Sequence, residues 1–550
     1  MELATLAVLL VPTHFVLSEE AKADITRFVH DGHVLIGLGG TSGLDCLFGC
    51  RDKGPLKEAW VGVERDGAMV SHPVTGGVTG VLHAFGGCLV EVVDPSTRVL
   101  AWWLDGERWN ETAGWQQAEI GAAVTIRRHG AGWALLVAPD LVHSVLRIQQ
   151  GCPVHVDGRP PRDGSAPVDD GILKTDDGIV LDYERDRLPL VGTRLFGRPV
   201  ADEWRELLIR AVLWAARATG NTLPMLWYWP EGLQAVGCLS HDSDMNDPTK
   251  AEKLLESLRK LDVLSTWCVL YPGGYSLDFY SRLVRDGHEI ALHYDAHTNL
   301  GRRSWHEADF QLQLDWLIDA TGVRVVSNKN HYFRWEGLTE FYHWLVRRGI
   351  LSDQSKGPSK MGNTGFPFGG SHPWCPMDEH ALRFLDVLET NLHSQDLVLT
   401  CPYEFGPAII DQARLHYGVA HLLFHPEHVD KPGVPEAMSR VVKYGQQAGL
   451  KWWTVSQIRA WESARRQVRF SWAGTPDGHV WSVESPVPLK GATIYLFDPA
   501  PNIRRSSCAA GPDEGPFGFD ALRLVVDLVP GEPRCLAGLQ GVKRCAVRPG

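Results

Sequence analysis

Leu239-Ser240-His241-Asp242-Ser243-Asp244 and, further along, Gly287-His288-Glu289-Ile290-Ala291-Leu292-His293-Tyr294-Asp295-Ala296-His297 decide how this chain is read. Each stretch closes an apolar run that reads as a buried strand, so its acidic and histidine residues stand where a strand gives way to a loop. One aspartate and two histidines can supply three ligands to a divalent metal and leave a position open for water. A second aspartate two residues from the first can take that water's proton. These are the minimum parts for metal-assisted hydrolysis.

Around these stretches, strand and helix patterns alternate through residues 223–465. Strands are expected at 235–239, 266–270, 288–292, 397–400 and 421–424. Helices are expected at 249–261, 277–285, 305–320, 338–348 and 434–447. Repeated β-α units of this kind predict an α/β barrel, whose sites form at the C-terminal ends of the strands. Leu422-Leu423-Phe424-His425-Pro426-Glu427-His428 ends another buried strand, and an imidazole there can be protonated at working pH. Residues 357–376 form a long loop with five glycines and Pro358, Pro367, Pro373 and Pro376. Loops of that length in a compact barrel are usually functional.

Residues 1–222 open on strand, helix, strand: a strand at 8–11, a helix from Ser18 through Val29 and a strand at 33–38. A strand at 133–137 and a helix at 141–148 follow, which together predict a parallel sheet. A long helix is expected at 202–219. From 466 to 550 short β-prone runs alternate with Pro and Gly clusters, which predicts a small β-sandwich.

At 550 residues the chain exceeds one ordinary domain. A net charge of −12 and the lack of any basic run exclude a nucleic-acid partner. Eleven cysteines at irregular spacing, with no C-x-x-C pair, suggest reduced and mostly buried thiols and a cytoplasmic setting. The apolar N-terminus lacks a basic flank and reads as a buried strand, not a leader. No apolar run reaches membrane-spanning length, so no membrane association is expected. A homo-oligomer is compatible with all of this. Tryptophan is abundant, at 21 residues. Trp305, Trp335 and Trp374 fall near the acidic and histidine signals and are candidates for stacking on sugar rings.

The paired signals resemble those of the NodB-homology polysaccharide deacetylases, carbohydrate esterase family four in the broad sense. The second stretch follows that family's Gly-His-Glu-Ile-x-x-His-x-x-x-His pattern, with Tyr294 where the family has Ser or Thr. The first is the Asp-x-Asp variant. The resemblance implies a distorted (β/α) NodB-type barrel in 223–465. It implies Asp242 as catalytic base, Asp244, His293 and His297 as metal ligands, and His425 as the acid that protonates the leaving amine. It also implies an arginine orienting the base. Phe333-Arg334 offers Arg334, while an Arg-x-His-Tyr form would put Lys329 in that slot; Arg334 is preferred because lysine cannot grip a carboxylate at two points. Asp353 would hold His425. Trp335 and Trp374 would contact substrate, His241 would either contact substrate or support a site residue from behind, and Asp247 and Asp295 are auxiliary candidates.

The implied activity is removal of acetyl groups from an N-acetylated, or O-acetylated, carbohydrate. Zn2+ suits the ligands first, and Co2+, Ni2+ or Fe2+ would fit them too. A small amide or cyclic ureide could be hydrolysed by the same parts, and a non-catalytic glycan-binding protein is the other alternative. Separately, residues 28–40 and 132–151 resemble the class I glutamine-amidotransferase-like fold used as an accessory domain in some glycosidases. No Gly-x-Cys-x-Gly elbow is present, so residues 1–222 read as non-catalytic, with Cys46 a buried structural thiol.

Overall fold

The computed structural model describes residues 3, 6–65, 68–105, 108–110, 114–116, 118–158, 171–296, 305–475, 478–498 and 513–536. His297 lies outside them. The chain forms two compact units, each assembled from separated stretches: Met1–Val145 with Glu203–Gly232 and Ala464–Gly550, and Leu146–Asp202 with Leu233–Ser463.

In the first unit Val8–Val11, Val34–Leu38 and Gly132–Val137 pair in parallel. The helix between the first two, Glu19–His30, begins where the Ser18 hydroxyl accepts from the Ala21 N–H, with Glu19 and Glu20 in its first turn. The expected parallel sheet stops there. Beyond Gly132–Val137 the sheet continues antiparallel through Glu119–His129, Arg98–Leu104, Glu58–Gly62 and Leu82–Phe85. Among the described residues no helix lies between Phe48 and Leu141 to cross these strands over, and the tight turn at 130–131 sets Glu119–His129 antiparallel to Gly132–Val137. Cys46 is exposed, which corrects its reading as buried, whereas Cys50, Cys88, Cys238, Cys268 and Cys401 are buried.

The C-terminal strands form two small antiparallel sheets. Arg469–Thr475 pairs with Gly478–Glu484, and Leu489–Phe497 pairs with Asp520–Leu528. The second sheet takes Leu223–Leu226 as an edge strand from far back in the chain. Among the described residues no helix is long and apolar enough to cross a membrane.

The second unit is built on a nine-stranded sheet in which every pairing is parallel. Its strands are β1 Val236–Asp242, β2 Thr266–Leu270, β3 Glu289–Tyr294, β4 Ser327–Asn330, β5 Ser352–Asp353, β6 Leu388–Glu389, β7 Ser394–Gln395, β8 Val419–Leu423 and β9 Lys451–Trp453. The order is β6-β5-β4-β3-β2-β1-β8-β7, with β9 on the first half of β1. The two ends, β6 and β7, are consecutive in the chain, so residues 390–393 join them and the sheet curls round on itself. The helices around it are α1 Pro248–Leu261, α2 Leu277–Arg285, α3 Glu307–Thr321, α4 Glu340–Arg348, α5 Phe405–Leu415 and α6 Val434–Gln447. Leu254, Leu255 and Leu258 of α1 and Phe279 and Leu283 of α2 pack in one core with Leu239, Trp267 and Leu292 of the strands. Asp247 is spent as the α1 cap, accepting from the Thr249 and Lys250 N–H groups ahead of Pro248.

Candidate active site

β1 is buried along its whole length and ends at Asp242. The turn beyond it is pinned to β2: Ser243 Oγ accepts from the Leu270 N–H at 3.0 Å and donates to Asn246 Oδ1 at 2.7 Å. That turn carries Asp244, whose side chain stays 33% exposed. His293 comes from the end of β3. Its Nδ1 lies 2.9 Å from the Lys329 carbonyl, which can only accept, so Nδ1 carries the proton and Nε2 faces the cluster. His331 follows directly on β4. The next two residues, Tyr332 and Phe333, hold φ of 55° and 54°, a left-handed turn that non-glycine residues adopt at a cost.

These side chains converge. His293 Nε2 is 3.3 Å from Asp244 Oδ1 and 3.8 Å from Asp242 Oδ2. His331 Nε2 is 3.8 Å from Asp244 Oδ1. Asp244 Oδ1 and His293 Nε2 are buried without a hydrogen-bond partner, a condition native structures rarely leave unexplained. Asp244, His293 and His331 thus present one carboxylate oxygen and two ring nitrogens to a common point, a donor set suited to a divalent cation such as zinc. Burial works to lower the His293 pKa, but the charges of Asp242 and Asp244 outweigh it and raise it. The cluster attracts positive charge.

Asp242 meets Lys329, not Arg334. The Lys329 ammonium, fully buried on β4, lies 3.0 Å from Asp242 Oδ1 and donates to Ser240 Oγ at 2.7 Å. Burial pushes the Asp242 carboxyl up, but Lys329, with His293 and His425, holds it well below the usual carboxylate range. Lys329 in turn is raised, Asp242 overcoming the effect of burial. Arg334 is turned away. Its guanidinium pairs with Glu336, donates to the Leu173 and Trp335 carbonyls and lies over Trp305, so it fastens the 171–177 stretch to the barrel.

His425 follows β8. Its Nδ1 is 2.5 Å from Asp396 Oδ2, its backbone N–H donates to Asp396 Oδ1, and its Nε2 is 3.6 Å from Asp244 Oδ2. Burial would lower its pKa, but the Asp396 charge and hydrogen bond, helped by Asp244 and Asp242, raise it to about 10. His428 Nδ1 also approaches Asp396 Oδ2, at 2.9 Å. Asp353, expected to hold His425, is instead fully buried on β5 with Asn328 and Ser355.

The expected substrate contacts do not reach the cluster from open positions. Trp335 and Trp374 are buried, Trp335 against Phe341 and Tyr342 and Trp374 donating to Asn391. His241 is fully buried and donates from Nδ1 to the Phe424 carbonyl at 2.7 Å. Sequence reasoning missed His331 as a cluster member and Asp396 altogether. The Lys329-Asn330-His331-Tyr332 run was a signal for the first. Asp396 had none beyond its place in the loop before Cys401.

No protein-family model and no curated protein matches the sequence. Among solved structures, a protein of Mycobacterium smegmatis provisionally described as a polysaccharide deacetylase is 19% identical with a TM-score of 0.34, over 44% of this chain and 93% of that one. A family 4 acetyl xylan esterase of Clostridium thermocellum, in complex with a cobalt ion, is 14% identical with a TM-score of 0.28, over 42% of this chain and 92% of that one. A β-galactosidase of Bacillus circulans sp. alkalophilus is 15% identical with a TM-score of 0.20, over 26% of this chain and 22% of that one.

Proposed function

We propose that this chain is a metal-dependent hydrolase that removes acetyl groups from an N-acetylated carbohydrate. The observation that carries the reading is the meeting of Asp242, Asp244, His293, His331 and His425 at the C-terminal ends of parallel strands, with Asp244 Oδ1 and His293 Nε2 buried and unsatisfied. The acetylated sugar is favoured by the likeness of residues 287–297 and of the Asp242–Asp244 pair to the NodB-type signals.

Asp244, His293 and His331 would hold the cation. Asp242 is the base, and its Oδ2 faces His293 while Lys329 occupies Oδ1. A carboxylate this acidic draws a proton only from water that is itself acidified, the service a divalent cation supplies when bound, along with polarisation of the scissile carbonyl. Lys329 keeps Asp242 ionised and fixed in orientation until it takes that proton. Attack forms the new carbon–oxygen bond as the water proton passes to Asp242. His425, held protonated by Asp396, gives its Nε2 proton to the sugar nitrogen as the carbon–nitrogen bond breaks. The products are acetate and the free amine.

Acetate release from an N-acetylated chito-oligosaccharide, measured with and without chelator, tests this. Release that chelator stops and zinc restores is the expected outcome. Ring opening of a cyclic ureide with no acetate release would overturn the substrate class, and activity indifferent to chelator would overturn the metal.

A further inference from the structure

The metal reading leaves one contact unused. Asp295 follows β3, two residues after His293, and its Oδ1 lies 3.1 Å from His331 Nδ1. Both side chains are buried, with 9% and 5% of their surfaces exposed. The backbone of Asp295 is clamped from both sides by one side chain of α3: Gln313 Oε1 accepts from the Asp295 N–H at 2.9 Å, and Gln313 Nε2 donates to its carbonyl at 2.9 Å. Gln313 is itself buried. The carboxylate is therefore set by a rigid element, not by a free loop.

We infer that Asp295 is a positioning residue that commits His331 to the cation. The inference rests on the proposed metal site. A neutral imidazole has one N–H and one lone pair, and the partner of the first decides where the second points. With Nδ1–H given to Asp295, His331 Nε2 carries the lone pair toward Asp244 and His293. A carboxylate behind a metal-bound imidazole also makes that nitrogen a better donor. The unsatisfied Asp244 Oδ1 that His331 faces points the same way. His297, the ligand candidate of the His-x-x-x-His spacing, lies outside the described residues; on this inference the residue after β4 is a ligand and the β3 loop supplies its orienting acid.

The test uses metal-free full-length protein titrated with Zn2+ against a chromophoric chelator, with Co2+ absorption as a second readout and melting of the metal-free variants as a fold control. Asp295→Ala should bind Zn2+ about 10–100-fold more weakly and change the Co2+ spectrum. Asp295→Asn, which keeps an acceptor for Nδ1–H, should recover part of that loss while staying at least about threefold weaker than wild type. His331→Ala should lose more than either. Folded Asp295→Ala binding Zn2+ within about twofold of wild type overturns the inference. If Asp295→Ala does not fold, wild-type affinity in Asp295→Asn does so. His331→Ala with wild-type affinity also overturns it and returns the ligand role to His297. A wild-type protein that binds no divalent cation defeats the metal site itself, a result distinct from these.

Discussion

Two clusters of one aspartate and two histidines sit side by side, Asp244 with His293 and His331, and Asp396 with His425 and His428. Their composition is the same and their spacing is not. Two ligand atoms bound to one tetrahedral zinc stand ~3.3 Å apart. In the first cluster the nitrogens lie 3.3 and 3.8 Å from the aspartate oxygen, room for a cation between them. In the second they lie 2.5 and 2.9 Å from it, and the shorter is a hydrogen bond between His425 Nδ1 and Asp396 Oδ2. The first leaves Asp244 Oδ1 and His293 Nε2 unsatisfied where a cation would sit, while in the second both Asp396 oxygens are taken by His425 and His428 Nδ1 is left without a hydrogen bond. On the proposed function, the same residue types would serve a cation in one place and a proton in the other. Asp244 joins the two, with Oδ1 toward the first cluster and Oδ2 toward His425.

The largest effects should come from removing one histidine of each cluster. His293→Ala should drop turnover to background and abolish tight Zn2+ binding, with no rescue by added zinc. His425→Ala should keep the metal, bound within about twofold of wild type, and lose ~10²–10⁴ on N-acetyl substrates. O-acetyl substrates should suffer less, because an alkoxide leaves unprotonated more readily than an amide nitrogen. Metal content by elemental analysis and acetate release separate the two. Loss of metal in His425→Ala would erase the distinction between the clusters.

A smaller change should sharpen it. As the proposed acid, His425 would work only while protonated, so activity should be full below a pKa of about 10 and lost above it. Asp396→Asn removes the largest charge that raises this value and leaves burial, which lowers it, opposed only by the smaller pull of Asp244 and Asp242. The basic limb of the pH–rate profile should then move to lower pH. An unmoved limb would mean that Asp396 does not tune His425.

The smallest contrast concerns the cations. Lys329→Met should raise the Asp242 pKa and move the acidic limb to higher pH, since the base acts in its ionised form above that pKa. Arg334→Ala should leave turnover within about threefold, because its guanidinium lies on Glu336 and two backbone carbonyls. The reverse pattern would restore Arg334 as the partner of Asp242.

What the sequence made legible follows the same division. Some elements were readable, with β2, α2 and α6 on the expected residues, whereas the strand expected at 397–400 is a turn just after β7. β4 was not. Ser327-Asn328-Lys329-Asn330 has no apolar residue, yet all four are buried. It is a strand because its polar atoms find partners: Ser327 on Glu289, Asn328 on Asp353, Lys329 on Ser240 and Asn330 on Ser355. A hydrophobic-period reading has no way to see that, and with β4 it loses the placement of Lys329 and His331. Arg334 attracted the reading because arginine grips carboxylates well, but the chain spends it on the carbonyl of Leu173. Asp396 lies in a loop that only the β7–β8 pairing brings under His425.

The most direct test of this division is an anomalous difference map from a crystal of the protein grown with Zn2+. One peak about 2.0–2.2 Å from Asp244 Oδ1, His293 Nε2 and His331 Nε2, and none between Asp396, His425 and His428, is the predicted result. A peak in the second cluster, no peak in the first, or a zinc held by His297 with His331 turned away would contradict it.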